Sequence, residues 1–429
     1  MFDTLKRVPL VGHALSVASS SLFTNAFYMM LGQAILAVLG FAFWVVVARY
    51  YTEAEVGYSS AIISMLGLAS LVGHIGLETF IVRFLPRSEN PARLLNTCLV
   101  YSCAATLVAG LAIVGIQSLG SSEIAFVARQ PLFLGAFVLF AVVGSVSSLF
   151  GATYIACRRS SFLAIKATVL GCVKLFLPLV FVGYFRAFGI VASWGLASIV
   201  ALIVSLTVLV PRVIPDYVLA FETGARLVRR AWGFSGFSYV TNIVGALPKF
   251  IMPLVVINAL GPEANGYFYI AWAMASVLHY IPGSVAQSLF AEGANDRRTL
   301  RHNIGRAFQI GFAILLPCIA FLILFGDKVL LAFGQTYSER SMELLRILVL
   351  AGMPATLERI YFSVLRVYGR LREVLFWRIA ISASVLGASY YAVGVAGLVG
   401  IGWAVFGAHS IVAALILVTR TGMWLPRDR

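Results

Sequence analysis

The chain has 429 residues, of which 61% are hydrophobic and 11% are charged. A soluble domain carries about 25% charged residues, so this chain has too few to cover a water-soluble fold of its length. The net charge of +15 does not indicate a nucleic-acid partner, because in a membrane protein the excess Lys and Arg collect in cytoplasmic loops.

Long uninterrupted apolar runs predict transmembrane helices. A helix needs roughly 20 residues to cross about 30 Å of hydrocarbon. The runs from Leu22 to Ala48, from Leu132 to Cys157 and from Gly189 to Val210 all reach that length. Strands of a membrane barrel would instead alternate in segments of about 10 residues. The predicted spans are 22–48, 57–82, 94–117, 132–157, 162–185, 189–210, 232–259, 266–290, 305–326, 342–365, 374–393 and 396–419.

The distribution of Lys and Arg indicates the orientation of these spans. With the N-terminus inside, the inner segments hold about four times as many basic residues as the outer loops. This bias predicts an even number of spans and two cytoplasmic termini. A cytoplasmic N-terminal segment (1–21) and a cytoplasmic tail (420–429) then flank two six-helix lobes, 22–210 and 232–419. A cytoplasmic linker, 211–231, joins the lobes.

The two predicted lobes contain an internal repeat at an offset of 209 residues, in VVARYYTEAEVGY (46–58) and VVINALGPEANGY (255–267). The identical pairs are Val46 and Val255, Val47 and Val256, Gly57 and Gly266, and Tyr58 and Tyr267. The alternative is chance similarity between short segments at the ends of apolar runs. Because the offset covers six helices, the lobes would have the same orientation in the membrane. Parallel repeats of this kind occur in transporters whose substrate path lies between the halves.

The same segments resemble a known family. The stretches FWVVVARYYTEAEVGYSSA, LVGHIGLETFIVRFLPR and LGPEANGYFYIAWAMASVLHYIPGSVAQSLFAE are similar to segments of O-antigen flippases and capsule exporters. In those proteins an outer turn with an acidic residue precedes Gly-Tyr. They form the polysaccharide transporter branch of the multidrug/oligosaccharidyl-lipid/polysaccharide exporter superfamily.

The resemblance implies a fold and a function. The fold would be all-α and polytopic, with about twelve transmembrane helices in two six-helix lobes around a central cavity. The function would be movement of a polyprenyl-diphosphate-linked oligosaccharide from the inner to the outer leaflet by alternating access. The place would be a bacterial or archaeal cytoplasmic membrane. The implied partners are this glycan, membrane lipids, and a polysaccharide polymerase and glycosyltransferases.

Two features separate the chain from other branches of the superfamily. Lipid II flippases typically have two further helices, which are not found here, and this argues against a peptidoglycan role. Drug exporters often carry an acidic residue in the first helix, whereas Leu22 to Ala48 contains no charged residue. A cation-coupled drug or small-molecule antiporter of the same fold remains the alternative function.

Basic residues within the spans are the candidate substrate site. Ionisable residues in lipid are costly and mostly face a bundle interior or an aqueous cavity. Bases outnumber acids in the spans, which suits an anionic diphosphate. Lys174 and Lys249, deep in the fifth and seventh spans, and Arg359 in the tenth are therefore predicted to bind substrate. A structural ion pair or a hydrogen bond to backbone is the alternative for each lysine. Lys166 and Arg378 lie close enough to the inner interface to snorkel.

Two acids and a histidine are the candidate coupling residues. Glu358 and Arg359 are adjacent and point about 100° apart, so they are not expected to pair with each other. Glu358 is predicted to pair with a basic group across the cavity or to carry a coupling proton. His74 and Glu78 are four residues apart and share one helical face, which would allow a proton relay. A solvated contact of Glu78 with Arg83 is the alternative for that pair.

The remaining polar residues give three further candidates for the transport path and argue against a metal site, direct ATP drive and enzyme activity. Asn25, Gln33 and Asn242 are predicted to line the path, or else to bond helices together. The five cysteines lack metal-ligand spacing, and no Gly-x4-Gly-Lys occurs, so neither a metal nor direct ATP drive is expected. The expected drive is a proton or a sodium ion, without a cofactor. No paired aspartates mark a membrane transferase, so the chain is not expected to be an enzyme.

Overall fold

The computed structural model describes residues 21–119, 123–183 and 185–419, and these are almost entirely α-helical. Apart from Ser21, the predicted N-terminal segment and the C-terminal tail lie outside the described residues. The helices are α1 Ser21–Tyr50, α2 Glu53–Gly73, α3 Leu77–Phe84, α4 Pro91–Ser118, α5 Phe126–Arg129, α6 Pro131–Ala156, α7 Ser161–Phe181, α8 Arg186–Val204, α9 Ala225–Leu260, α10 Pro262–Leu278, α11 Tyr280–Asn295, α12 Leu300–Leu331, α13 Gln335–Leu350, α14 Gly352–Val367 and α15 Leu371–Thr419.

The helices account for all twelve predicted spans. In the described part of the chain, ten helical stretches are long and apolar enough to cross a membrane. One of them, α15, consists of two helices joined at Ala396 and Gly397, whose backbone is not helical, so it supplies the last two spans. Helices α10 and α11 are each short, and together they fill the predicted span 266–290. The prediction of an all-α polytopic membrane protein is confirmed.

The outer surface of the helices is apolar, as a lipid-facing surface must be. Val108, Phe176, Ile203 and Ile411 are each more than half exposed, although all four lie inside predicted spans. In a soluble protein, contiguous exposed apolar surface on this scale would be a liability. Exposure to hydrocarbon removes the cost, and the pattern supports a membrane location.

Local sequence explains where several helices begin. Thr52 and Glu55 form a capping box at the start of α2, in which the Thr52 N–H donates to Glu55 Oε2 at 2.9 Å and the Glu55 N–H donates to Thr52 Oγ1 at 3.3 Å. Asn90 caps α4 by accepting the Arg93 N–H at 2.9 Å. Proline occupies the first position of α4, where its missing N–H has no helical partner to lose.

The second predicted span of each repeat is interrupted. Helix α2 ends at Gly73, and Ile75 and Gly76 adopt positive φ values of 40° and 80° before α3 begins. Positive φ is rare for a β-branched residue, which is why the sequence alone predicted one continuous helix here. In the second repeat the break falls at His279, between α10 and α11. Both spans are therefore pairs of helices, and this corrects the predicted continuous spans 57–82 and 266–290.

The positions of helix starts support the internal repeat. Helix α2 begins at Glu53 and α10 at Pro262, which are 209 residues apart. Helix α4 begins at Pro91 and α12 at Leu300, which are also 209 residues apart. This is the offset at which the sequence segments match.

The contacts divide the chain into two compact units. Unit 1 consists of the described residues of Met1–Phe43, Ala69–Ile116 and Val127–Gly236, and unit 2 consists of those of Trp44–Leu68, Gln117–Phe126 and Phe237–Arg429. The core of unit 1 gathers side chains of α3, α4 and α6, including Phe80, Leu95 and Phe150. A core of unit 2 joins α11, α12 and α14 through Leu289, Leu300 and Ile360. The lobe boundaries at 22–210 and 232–419 stay a prediction.

Candidate functional site

Unit 2 contains a buried carboxylate paired with a histidine. Glu358 of α14 is 3% exposed, and its Oε2 and Oε1 lie 2.9 and 3.1 Å from Nδ1 of His409 in the second helix of α15. An isolated carboxylate in a membrane interior would be strongly disfavoured, and the imidazole supplies the compensating contact. The pair joins the tenth and twelfth predicted spans.

A second histidine lies near this pair. His279 stands at the break between α10 and α11, and its Nε2 is enclosed with no hydrogen-bond partner among the described residues. It is close enough to Arg359 and His409 to feel their charges. The break in α10 thus places a polar ring beside the Glu358–His409 pair.

Adjacent to this pair, Arg359 points to a different side of α14. Glu358 is buried whereas Arg359 is exposed, as the 100° step between neighbouring helical residues requires. The guanidinium lies against Gly283 of α11, where a Cβ would come within 3.2 Å of Nη1. The glycine therefore leaves the space that the Arg359 head group occupies.

Two further arginines accompany Arg359. Arg366 lies two turns along α14 on the same face and is exposed. Arg378 of α15 donates to the Thr241 carbonyl at 3.2 Å and feels repulsion from both other arginines. None of the three forms an ion pair with a carboxylate in the described ranges. They are referred to below as the arginine cluster.

Arg366 and Arg378 differ from their predicted roles. Arg366 lies one residue beyond the predicted span 342–365, and the structure places it in the last turn of α14. Arg378 was predicted to snorkel, and it instead reaches across to α9, where Gly245 makes room for its guanidinium. These two residues were missed as site candidates, because the sequence gives no sign that α9, α14 and α15 lie side by side.

Lys249 is a further cation in the spans of unit 2. It lies on α9 and is exposed, with its ammonium 5.3 Å from the centre of the Phe250 ring. A separate cavity of about 440 Å³ lies between Phe237 of α9 and the α14–α15 turn, and its lining includes Arg370 and Arg372. The described side chains of this unit therefore present positive charge at several accessible positions.

Lys174 in unit 1 has a different environment. It is 4% exposed, and its ammonium lies 4.0 Å from the centre of the Trp194 ring and 4.9 Å from that of Phe43. The two rings meet edge to face, with centroids 5.8 Å apart, and enclose the charge by cation–π contact. Among the described residues, Lys174 has neither of the expected alternative partners, a carboxylate in an ion pair or a backbone carbonyl, and substrate contact would require the rings to move.

His74 and Glu78 of unit 1 lie together, although the helix is broken between them at Ile75 and Gly76, so they do not share the continuous helical face that their spacing predicted. Nδ1 of His74 is 3.4 Å from Oε1 of Glu78, and the carboxylate side chain is 42% exposed. Nε2 of His74 is buried without a partner among the described residues. Lys166 was predicted to snorkel, and its ammonium instead donates to the Ser147 carbonyl of α6.

The three predicted path-lining residues fall in different settings. Gln33 and Asn242 are exposed on α1 and α9. Asn25 accepts the Ser160 N–H at 3.1 Å, so it bonds α1 to the start of α7. For Asn25 the geometry therefore favours the alternative prediction, that the side chain bonds helices together.

The histidines at 279 and 409 are the main site residues that sequence reasoning missed. Each is a single ionisable residue in an otherwise apolar span, and that isolation is the signal that could have found them. In the described ranges no group of three His, Cys, Asp or Glu side chains could hold a metal ion.

Comparison with known proteins identifies the family. Residues 46–342 match the family model described as polysaccharide biosynthesis protein. The chain belongs to this family. The match includes both copies of the repeated Gly-Tyr segment and extends from α1 into α13.

The relatives of this chain include a Shigella flexneri protein named "Putative O-antigen transporter", which is 25% identical to it over 194 residues. The matched stretch is 44% of this chain and 46% of that protein, so this chain spans about half the length of the relative. Among solved structures, the lipid II flippase MurJ in an inward closed conformation has a TM-score of 0.72, at 13% identity over 92% of this chain and 87% of MurJ. A multidrug resistance MATE family transporter, facing inward, has a TM-score of 0.62, at 17% identity over 92% and 98%. These likenesses show that the chain has the fold of these proteins, which is the fold that the resemblance in the sequence predicted.

Proposed function

We propose that this protein is a flippase for a polyprenyl-diphosphate-linked oligosaccharide, an O-antigen, capsule or exopolysaccharide unit. It moves this lipid from the inner to the outer leaflet of a bacterial or archaeal cytoplasmic membrane by alternating access. The observation that carries the proposal is uncompensated positive charge within the spans of unit 2. The arginine cluster and Lys249 are accessible or partly accessible and form no carboxylate ion pair in the described ranges.

The chemistry of these groups suits a diphosphate. A guanidinium can donate two parallel hydrogen bonds to phosphate oxygens, and a lysine ammonium acts as a compact point charge. Because bare charges within a membrane are costly, an anionic ligand that neutralises them would bind favourably. Lys249 and Arg359 are the proposed first contacts, with Arg366 and Arg378 extending the cationic surface and Asn242 available to sugar hydroxyls.

Lys174 is proposed as a later contact of the same substrate. Its ammonium is already desolvated and held only by two aromatic faces, Phe43 and Trp194. Cation–π contact at a desolvated site is worth roughly 2 kcal/mol, less than a charge-assisted bond to phosphate can offer. Movement of either ring during transport would release the charge to an anion.

The proposed drive is a proton or sodium ion acting at Glu358, with His409 as its partner, and at the His74–Glu78 pair. A buried His–Glu pair that shares one proton carries no net charge, and loss of that proton leaves a carboxylate charge that a new proton or a sodium ion would neutralise. The same pair favours the second candidate, a cation-coupled antiporter for drugs or other small molecules. That function would need the carboxylate of Glu358 and would not need the arginine cluster.

The proposal is tested by deleting the gene in its host and extracting the polyprenyl-diphosphate lipids. The expected result is a completed lipid-linked glycan that accumulates on the cytoplasmic side, together with loss of the surface polymer. An unchanged lipid pool with intact surface glycan, in a host without a redundant transporter, would overturn it. Altered drug sensitivity with unchanged glycan would favour the antiporter.

Variants in the deletion host then test the cationic site. Lys249→Ala and Arg359→Gln are each expected to lower glycan flipping at least about tenfold, because each removes a charge-assisted bond to the diphosphate. Lys328→Ala is the matched control. Lys328 has the same charge and a similar ring contact, 5.4 Å from Phe325, but it lies in a predicted outer loop. Equal flipping by all three variants, at normal protein levels, would exclude the proposed contacts.

A further inference from the structure

The two copies of the repeated Gly-Tyr segment meet face to face in unit 2. A Cβ added at Gly57 of α2 would overlap the Pro262 carbonyl, and one added at Gly266 of α10 would overlap the Glu53 carbonyl. Glu53 and Pro262 are themselves equivalent, since each begins its helix. The contact is thus reciprocal, because each glycine packs directly against the backbone in the first turn of the other helix.

Side-chain bonds fasten this crossing. Nδ2 of Asn265, which is fully buried, donates to the Gly57 carbonyl at 2.7 Å and lies 3.1 Å from the Ser60 hydroxyl. The equivalent position in the first repeat is Val56, whose side chain cannot form hydrogen bonds, so α2 has no counterpart of these Asn265 bonds. Each bond to Asn265 is one that water can replace when the helices part.

The neighbouring helix ends are joined in the same way. Nε of Arg49, at the end of α1, donates to the Ala332 carbonyl at 2.7 Å, which satisfies a free carbonyl after α12. Trp44 of α1 packs on Tyr269 of α10 with ring centroids 4.7 Å apart. All these contacts lie at the helix ends that the charge bias predicts to be outside.

We propose that the crossing of α2 and α10 at Gly57 and Gly266 is an outer latch, which is closed in this structure and must open once in every transport cycle. The inference rests on the proposed function, because alternating access requires the outer ends of the two repeats to separate. A contact made of backbone surfaces and a few hydrogen bonds can separate without unpacking a side-chain core.

Cross-linking tests whether the latch opens. The variant Ser60→Cys/Asn265→Cys is made in a background whose five native cysteines are replaced by alanine, and it is oxidised or joined by a short bifunctional thiol reagent. The expected result is a loss of flipping of at least about tenfold, reversed by a reductant. The control is Ser102→Cys/Ser145→Cys, a buried pair within the first repeat whose hydroxyls are 2.7 Å apart. Its cross-link is expected to leave flipping within about twofold of the reduced protein. Equal flipping before and after cross-linking of the first pair would overturn the latch.

Thiol labelling gives a readout that needs no substrate and no active double variant. Gly266→Ala adds a methyl group that collides with the Glu53 carbonyl, so it should hold the latch open. An impermeant thiol reagent should then label Ser60→Cys about tenfold faster than in a Gly40→Ala control, where nothing lies within 4 Å of the added carbon. Equal labelling would refute the latch. If labelling responds but the wild-type protein moves no lipid-linked glycan, the proposed function fails and the latch stands.

Discussion

Glu358 shows how a single charged residue is tolerated in an apolar span. Both of its carboxylate oxygens lie within hydrogen-bond distance of His409, and the carboxylate is almost fully enclosed. Removing one partner of a buried pair leaves the other charge uncompensated, which costs more than removing both. The pair therefore has to be considered as one unit, in stability as well as in coupling.

This leads to a prediction about the order of stabilities. His409→Gln leaves the Glu358 carboxylate without its imidazole partner and is expected to cost about 3 kcal/mol of unfolding free energy. Glu358→Gln removes the charge itself and should cost less, and the double variant should recover part of the loss. Thermal unfolding in detergent measures all three. His74→Gln is the control, since its partner Glu78 is 42% exposed and water can replace the contact. A larger loss for His74→Gln than for His409→Gln would contradict the prediction.

The sequence placed some of these residues correctly and missed others for a physical reason. Helical spacing was enough to put Glu358 and Arg359 on different sides of one helix, whereas the contact of His74 with Glu78 forms across a helix break that spacing did not predict. It could not find His409, because its partner lies 51 residues away and the contact depends on tertiary packing. The same limit applies to Arg378, which was wrongly expected to snorkel because of its depth in the span. Packing against α9, which spacing along the chain does not reveal, places the Thr241 carbonyl within reach of its guanidinium.

At the scale of elements, the linker between the predicted lobes is held by side-chain bonds to a helix. The Tyr217 hydroxyl donates to Asn96 Oδ1 at 2.6 Å, and Asn96 Nδ2 donates to the Val218 carbonyl at 2.9 Å. Burial raises the pKa of Tyr217 to about 12. The neutral phenol is therefore the form that the folded linker favours. The stabilisation that this phenol gives to the folded linker is fully present below about pH 10 and is lost as the pH rises through about 12.

Loss of this hydroxyl should loosen the linker. Tyr217→Phe removes a bond worth about 1 kcal/mol and leaves Asn96 Oδ1 without that donor, so cleavage of the linker by a protease at pH 8 should become roughly fivefold faster. Tyr50→Phe, at an exposed tyrosine outside the linker, should leave the rate unchanged. An alkaline absorbance titration should also lose one tyrosine that ionises near pH 12. Identical cleavage of the two variants would show that the bond does not hold the linker.

Element boundaries were predicted well where apolar length decides them, and less well inside spans. The start of α2 agrees with its capping box, and the twelve apolar runs all became helices. The breaks at Ile75 and His279 were not predicted, because each interrupted span remains apolar on both sides. A break in an apolar helix is tolerated where packing or a polar cavity satisfies the freed backbone groups, and a single sequence does not reveal that packing.

At the scale of the whole molecule, the distribution of charge predicts the orientation in the membrane. Glu89 follows α3 in a predicted inner loop, and Glu263 begins α10 on the predicted outer side; both are exposed. In the cysteine-free background, an impermeant thiol reagent applied to intact cells should label Glu263→Cys and not Glu89→Cys. Inverted vesicles should give the opposite result. Labelling of both from the same side would show that the number of spans between them is not odd.

The reciprocal packing of Gly57 and Gly266 has a consequence for the history of the chain. A surface that contacts its own equivalent is the signature of a two-fold dimer interface, in which residue i of one copy meets j of the other and j meets i. The contact in this single chain has that form, which is the one expected if the predicted lobes arose by duplication and fusion of a protein that formed a homodimer. Divergence could then alter almost every side chain in the two copies, but not the two hydrogens that serve as side chains where the backbones touch.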